Sequence, residues 1–259
     1  MARALVPARL ERPGVRTTLT SHGYRLAAIG LCLLLFPILT HLGGRVVGAG
    51  GIWDFANALG FAALGGFLYL TLETGAPDPA QPTSNRFRLR LHTALALVTL
   101  GLVSLHIGVF LISDAIVVEY LKLSAPGYML SGIAATLLVA ILAITSFQPL
   151  RRRIYRGRGP FRFFHATLAL VTLLLVAHHV LGSGFYTDTL AKQTLFLSAA
   201  VAAPILLIAG RRAFPRRIGL VGGHAPNSGT RTADRLALAA GLAALGIALA
   251  YALLRNPPA

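Results

Sequence analysis

The sequence predicts an all-α protein, a polytopic transmembrane helical bundle of about seven spans. Three observations carry that reading. Of 259 residues, 55% are hydrophobic and 12% charged, with a mean hydropathy of +0.69, which is too little polar surface to clothe a soluble globule of this size. Apolar runs long enough to cross a hydrocarbon core, roughly 17–25 residues of helix, recur seven times. Lys and Arg are also strongly sided: when the runs are laid end to end across a bilayer, 20 of the 24 fall on one side.

The runs cover 25–42, 51–72, 91–113, 128–146, 164–182, 191–210 and 235–254, each rich in Leu, Ala, Val and Gly. The first follows a tail carrying Arg3, Arg9, Arg12 and Arg16, and no small-residue cleavage site follows it promptly, so it reads as a retained span. Residues 1–24 are then a basic cytoplasmic tail, 211–234 a cytoplasmic loop, and 235–259 a last helix with a short outer tail. Arg86, Arg88 and Arg90 precede the third span, and six arginines from Arg151 to Arg162 precede the fifth. Translocating basic loops is disfavoured, which puts the N-terminus in the cytoplasm and the C-terminus outside. Spans three and five then both run outward. The net charge of +16 is a topology signal on this reading, not a nucleic-acid footprint. Pro37 and Pro204 fall inside spans and are expected to kink them. Trp53 and Tyr69 bracket span two as interfacial anchors would.

The connections are short, and no strand, glycine-rich turn and helix follow one another as a dinucleotide-binding fold requires. The single cysteine, Cys32, rules out a disulfide framework or a cysteine-bound cluster within the chain and reads as a packing residue. His22 and His224 lie in cytoplasmic segments.

Ionisable residues inside a membrane are costly and mark function by default. His92 and His106 lie on span three, and His165 with the adjacent His178 and His179 on span five; His41 closes span one. Fourteen residues of helix rise about 21 Å and fall about 40° short of four full turns. His92 and His106 therefore share a face at two depths, as do His165 and His179. The spans also match at an offset of 73 residues, with Leu95–Leu100 over Leu168–Leu173 and a histidine in register at both ends. His178, about 140° off the face of His165, needs a bulge or kink to compete. Two facing imidazoles at each of two levels fall short of zinc's three or four ligands. They suit haem, whose porphyrin supplies the remaining four donors. Gly101, Gly108 and Gly182 offer room for a flat ring or for close helix packing.

The H-x13-H pattern of His92 and His106, followed by H-x12-13-H from His165 to His178 or His179, resembles the ferric reductase-like transmembrane domain family. This family includes the membrane parts of ferric reductases and NADPH oxidases and related bacterial haem-binding membrane subunits. The resemblance covers roughly residues 25–210 and implies a six-helix haem-binding core. It further implies two b-type haems, a cytochrome b of electron transport: His92 and His165 as iron ligands of the inner haem, His106 with His179, or alternatively His178, of the outer one. Arg86, Arg88 and Arg90 are placed to meet haem propionates or to set topology.

The seventh span stands where oxidases and reductases of that family carry flavin and nicotinamide modules. The expectation is therefore an oxidoreductase subunit without its own flavin or NAD(P)H domain and without a catalytic acid, base or nucleophile. Its electrons would come from a cytoplasmic flavoprotein, a partner's flavin or a quinol, and leave to an outer, periplasmic acceptor protein. The excess of Arg over Lys and the wealth of Ala, Gly and Leu point to a bacterial inner membrane. Two alternatives stand beside this reading: a one-haem, quinol-linked subunit feeding a periplasmic reductase, and a proton or metal transporter using the intramembrane histidines.

Overall fold

The chain is all helical among the residues described by the structure, a computed structural model covering 27–32, 35, 38, 40, 50–73, 85–155, 157–213 and 228–256. The first predicted span, here α1, is described at 27–32, 35, 38 and 40, all helical. The remaining helices are α2 (Gly51–Leu72), α3 (Asn85–Ser113), α4 (Gly127–Ser146), α5 (Gln148–Ile154), α6 (Arg158–Ser183), α7 (Leu190–Ala213) and α8 (Ser228–Arg255), with a 3-10 segment at Ala115–Leu121.

Five described helices are long and apolar enough to cross a membrane: Gly51–Leu72, Asn85–Ser113, Gly127–Ser146, Arg158–Ser183 and Thr230–Arg255. In α7 the described apolar stretch is the shorter Leu190–Ile205, and Pro204 lies within that helix. Pro37 lies outside the described residues. The sequence locates the helices well but underestimates three of them. α3, α6 and α8 each begin about six residues ahead of their apolar runs, because a charged turn continues a helix at no cost once it has left the hydrocarbon. Hydropathy finds the part of a helix that lipid covers, not the helix. It also has no signal for α5, which opens with Pro149 in its first turn, where a missing N–H is harmless, and closes on Arg151, Arg152 and Arg153.

Two groups of helices make up the bundle. In one, α2 packs along α3, and α8 lies against both. The surface of α8 that makes this contact is a stripe of buried small residues, Ala233, Ala237, Ala240, Ala244 and Ala248, recurring every three or four positions. Such a stripe lets helix axes approach closely where water supplies no driving force. In the other group, α4 packs along α6. The bridge between them is α7, which touches α2 and α6. α3 and α6 do not pack closely on one another, and the interval between them holds the histidines.

One sequence expectation needs correction. Tyr69 is no interfacial anchor: it is 5% exposed and belongs to the core, because its position on α2 faces the helix group and not the lipid. Cys32 packs, half-buried, against that core as expected.

Candidate functional site

Across the interval, α3 and α6 present histidines at two levels. At one, the rings of His92 and His165 face each other with centroids 6.4 Å apart and planes at 59°. At the other, His106 and His179 lie within electrostatic range of one another. Midway, seven residues from the histidine on either side, Thr99 and Thr172 are both buried. The Thr172 hydroxyl donates back to the Leu168 carbonyl at 2.8 Å, so this midpoint carries no charge.

His106 and His179 are held by the same device. The Nδ1 of His106 donates to the carbonyl of Ala56 on α2 at 2.7 Å; the Nδ1 of His179 donates to the carbonyl of Tyr128 on α4 at 2.9 Å. Each carbonyl already faces the N–H four residues on, and a side chain at that residue would screen it. In both helices that residue is glycine. A Cβ on Gly60 would lie 2.9 Å from the His106 ring, and one on Gly132 would lie 2.7 Å from the His179 ring. The missing side chain is thus what lets the imidazole reach the carbonyl's second lone pair. A carbonyl can only accept, so Nδ1 carries the proton and Nε2 is left with a free lone pair.

The device repeats with the histidines. Ala56 and Gly60 recur 72 residues later as Tyr128 and Gly132, and His106 recurs 73 residues later as His179. The internal likeness seen in sequence between spans three and five is therefore a likeness of helix pairs, α2–α3 and α4–α6.

At the other level, His92 Nδ1 donates to the carbonyl of Glu73, at the C-terminal end of α2, at 3.0 Å. Among the described residues no backbone N–H takes this carbonyl, because it caps the end of the helix. His165 differs. Its Nδ1 is buried with no partner among the described residues, and its ring lies against Phe161 at 5.2 Å and 33°. Arg88 and Arg90, weighed as propionate partners, meet carboxylates of the chain instead: Arg88 Nε reaches Glu73 at 2.6 Å, and Arg90 grips Asp234 of α8 with two bonds of 2.6 and 3.0 Å.

His178 is exposed at the bundle surface. Its Nδ1 meets the Ser131 hydroxyl at 2.7 Å, whose own proton goes to the Gly127 carbonyl. Of the glycines singled out in sequence, Gly101 and Gly108 have open space beside them, whereas Gly182 is packed against the Tyr128 side chain. His22, His41 and His224 lie outside the described residues.

Beyond His106, the same end of the bundle holds a buried polar network that hydropathy conceals. Asp54, on α2, is fully buried. It accepts from the Tyr186 hydroxyl at 2.6 Å and from the Asn256 amide at 2.7 Å, and lies 3.5 Å from the Arg255 guanidinium. Asn57 donates to the Tyr186 oxygen at 3.2 Å. Burial first, and then the Asp54 carboxylate, hold the Tyr186 hydroxyl above its ordinary pKa, so it stays protonated and donates. This network ties the loop after α6 and the end of α8 to the helix that carries the His106 slot. In the sequence, Asp54 and Arg255 stand far apart in the chain with nothing to mark them as partners. The slot glycines were more accessible, since Gly60 and Gly132 keep nearly the histidines' own offset.

Compared with known proteins, residues 58–176 match the family described as ferric reductase like transmembrane component. The match contains α3, α4 and α5, most of α2 and most of α6, with His92, His106 and His165; it stops two residues before His178, and α7 and α8 lie beyond it. No curated protein and no solved structure matches the chain.

Proposed function

We infer that this membrane electron-transfer component, whose residues 58–176 belong to the ferric reductase-like transmembrane family, is a di-haem b-type cytochrome. In this reading it passes electrons across the bilayer from a cytoplasmic-side donor, a flavoprotein or a quinol, to an outer-side acceptor. The sidedness of the basic loops supports reading the His92 and His165 level as the cytoplasmic one, with the N-terminus inside and the C-terminus outside.

Supporting this most directly is the fixing of histidines through Nδ1. Three of the four, His92, His106 and His179, donate that nitrogen to a backbone carbonyl. This sets the ring's tautomer and orientation and reserves Nε2 for a metal, as ligating histidines do. The spacing agrees. The His92 and His165 rings stand opposite one another with centroids 6.4 Å apart, so a metal ion between them would be within reach of both.

His92 and His165 would hold one haem, and His106 with His179 the other. Iron held in this way supplies reversible one-electron chemistry when bound. The chain's own part is to tether His92, His106 and His179 and to set the uncharged Thr99 and Thr172 at the midpoint between the levels. A relay or transport role would favour histidines free to turn, whereas three of these four are tethered to carbonyls, two of them in glycine slots.

The test is a dithionite-reduced minus oxidised spectrum with a pyridine-haemochrome count on the purified chain. Two b-type haems per chain are expected. One would point to the quinol-linked subunit, and none after expression with ample haem would overturn the reading.

A further inference from the structure

Between α5 and the start of α6, a cavity of about 370 Å³ is lined by Gln148, Arg151, Arg152, Tyr155, Arg158 and Phe161. Its three arginines, like Arg153 and Arg162 beside it, are in no ion pair among the described residues, unlike several cations elsewhere. Arg88, Arg90, Lys122, Lys192 and Arg255 each have a carboxylate of the chain within ion-pair distance. A topology signal needs only the number of charges, whereas here three arginines, Arg151 half-buried and Arg152 and Arg158 exposed, line one concave site.

Aromatic rings fix the site's shape. Arg151 sits over the Phe161 ring at 5.1 Å, and Tyr155 packs on Phe161 at 5.4 Å and on Phe164 at 5.9 Å. Beside this polar hollow stands an exposed apolar collar: Phe147, Ile154, Phe163 and Phe164 are exposed by 59, 50, 67 and 50%. Phe147 and Ile154 flank α5, and Phe163 and Phe164 lie in the second turn of α6, so cavity and collar meet where helices long enough to span the membrane end.

We propose that this cavity is a specific binding site for an anionic phospholipid, whose phosphate is gripped by Arg151, Arg152 and Arg158 while its acyl chains lie along Phe147, Ile154, Phe163 and Phe164. The shared chemistry is a phosphate group, for which paired guanidinium forks are the best-matched donors. The apolar collar selects the lipid over a soluble phosphate, because a solute such as inorganic phosphate gives those four side chains nothing to cover. Phe161, which touches both Arg151 and His165, sets the site one aromatic ring from the inner histidine level.

The full chain is reconstituted with phosphatidylglycerol or phosphatidylcholine, extracted in mild detergent, and its retained lipid counted by native mass spectrometry, a readout independent of haem. Phosphatidylglycerol retention is expected to exceed that of phosphatidylcholine at least fivefold. Arg151→Gln with Arg158→Gln should abolish the excess. Arg153→Gln with Arg162→Gln, which removes the same charge from outside the cavity, should preserve it. If the first pair does not fold, Arg151→Lys with Arg158→Lys keeps the charge, loses the fork, and should still lower retention. Equal loss in the cavity pair and the control pair would overturn the proposal in favour of diffuse attraction. So would binding of inorganic phosphate that depends on Arg151 in a chain retaining no phosphatidylglycerol.

Discussion

Gly60 and Gly132 do for His106 and His179 what no side chain could, by being absent. A methyl group at either position meets an imidazole at under 3 Å, and the ring's carbonyl tether leaves it little freedom to retreat. Gly132→Ala is expected to cost about 1–3 kcal/mol through overpacking, although alanine is the better helix former by about 1 kcal/mol. On the di-haem proposal, the haem at the His106 and His179 level should be lost or shifted while the other stays, as measured by redox titration of the reduced minus oxidised spectrum. The neighbouring histidines separate in the same way. His179→Ala should drop the haem count from two to one, whereas His178→Ala, which removes a surface ring bonded to Ser131, should leave two. At this scale the sequence exposes the histidines, because an ionisable residue in an apolar run stands out by chemistry alone. It hides their anchors, because a backbone carbonyl has no letter and a glycine in an Ala- and Leu-rich helix looks like packing.

The helix termini are pinned unequally. At the His92 end, Arg90 and Asp234 join α3 to α8 with both side chains about half exposed. Such a pair is worth under about 1 kcal/mol, and Asp234→Ala should barely move thermal unfolding in detergent. At the other end, Asp54 and Arg255 are 0 and 4% exposed, and removing one partner leaves a buried charge uncompensated. Asp54→Ala should destabilise by about 3–5 kcal/mol, seen as a large fall in melting temperature and in recovery of folded protein. The contrast follows from burial, to which a sequence tally of charges by side is blind. The helices themselves were legible from hydropathy, and their charged extensions were not, because those turns obey the helix's hydrogen bonding and not the lipid's preference for apolar side chains.

As a whole, the molecule is two helix groups facing across an interval, with α8 added to one of them outside the family match. Hydropathy and charge sidedness sufficed for a helical membrane bundle, and the 73-residue histidine offset for its internal likeness. The assignment of groups, α2 with α3 and α8 but α4 with α6, rests on which small residues meet, and an alphabet of Leu, Ala, Val and Gly offers too many equivalent matches to choose from. That assignment has a consequence for how the protein matures. Apart from α7 and sparse contacts of α2 with α6 and α3 with α4, the two groups share little seam among the described residues, so on the di-haem proposal the cofactors would serve as mortar between them. Cofactor loading should then close the clamshell, by the ordinary linkage in which a ligand of the folded state adds stability. Limited proteolysis should cut the Asp114–Pro126 connection, which joins the groups, several-fold faster in chains made under haem starvation than in replete ones. Equal rates would mean that the halves hold without it. A cell that clears the starved form would in effect be inspecting each copy for its cargo before putting it to use.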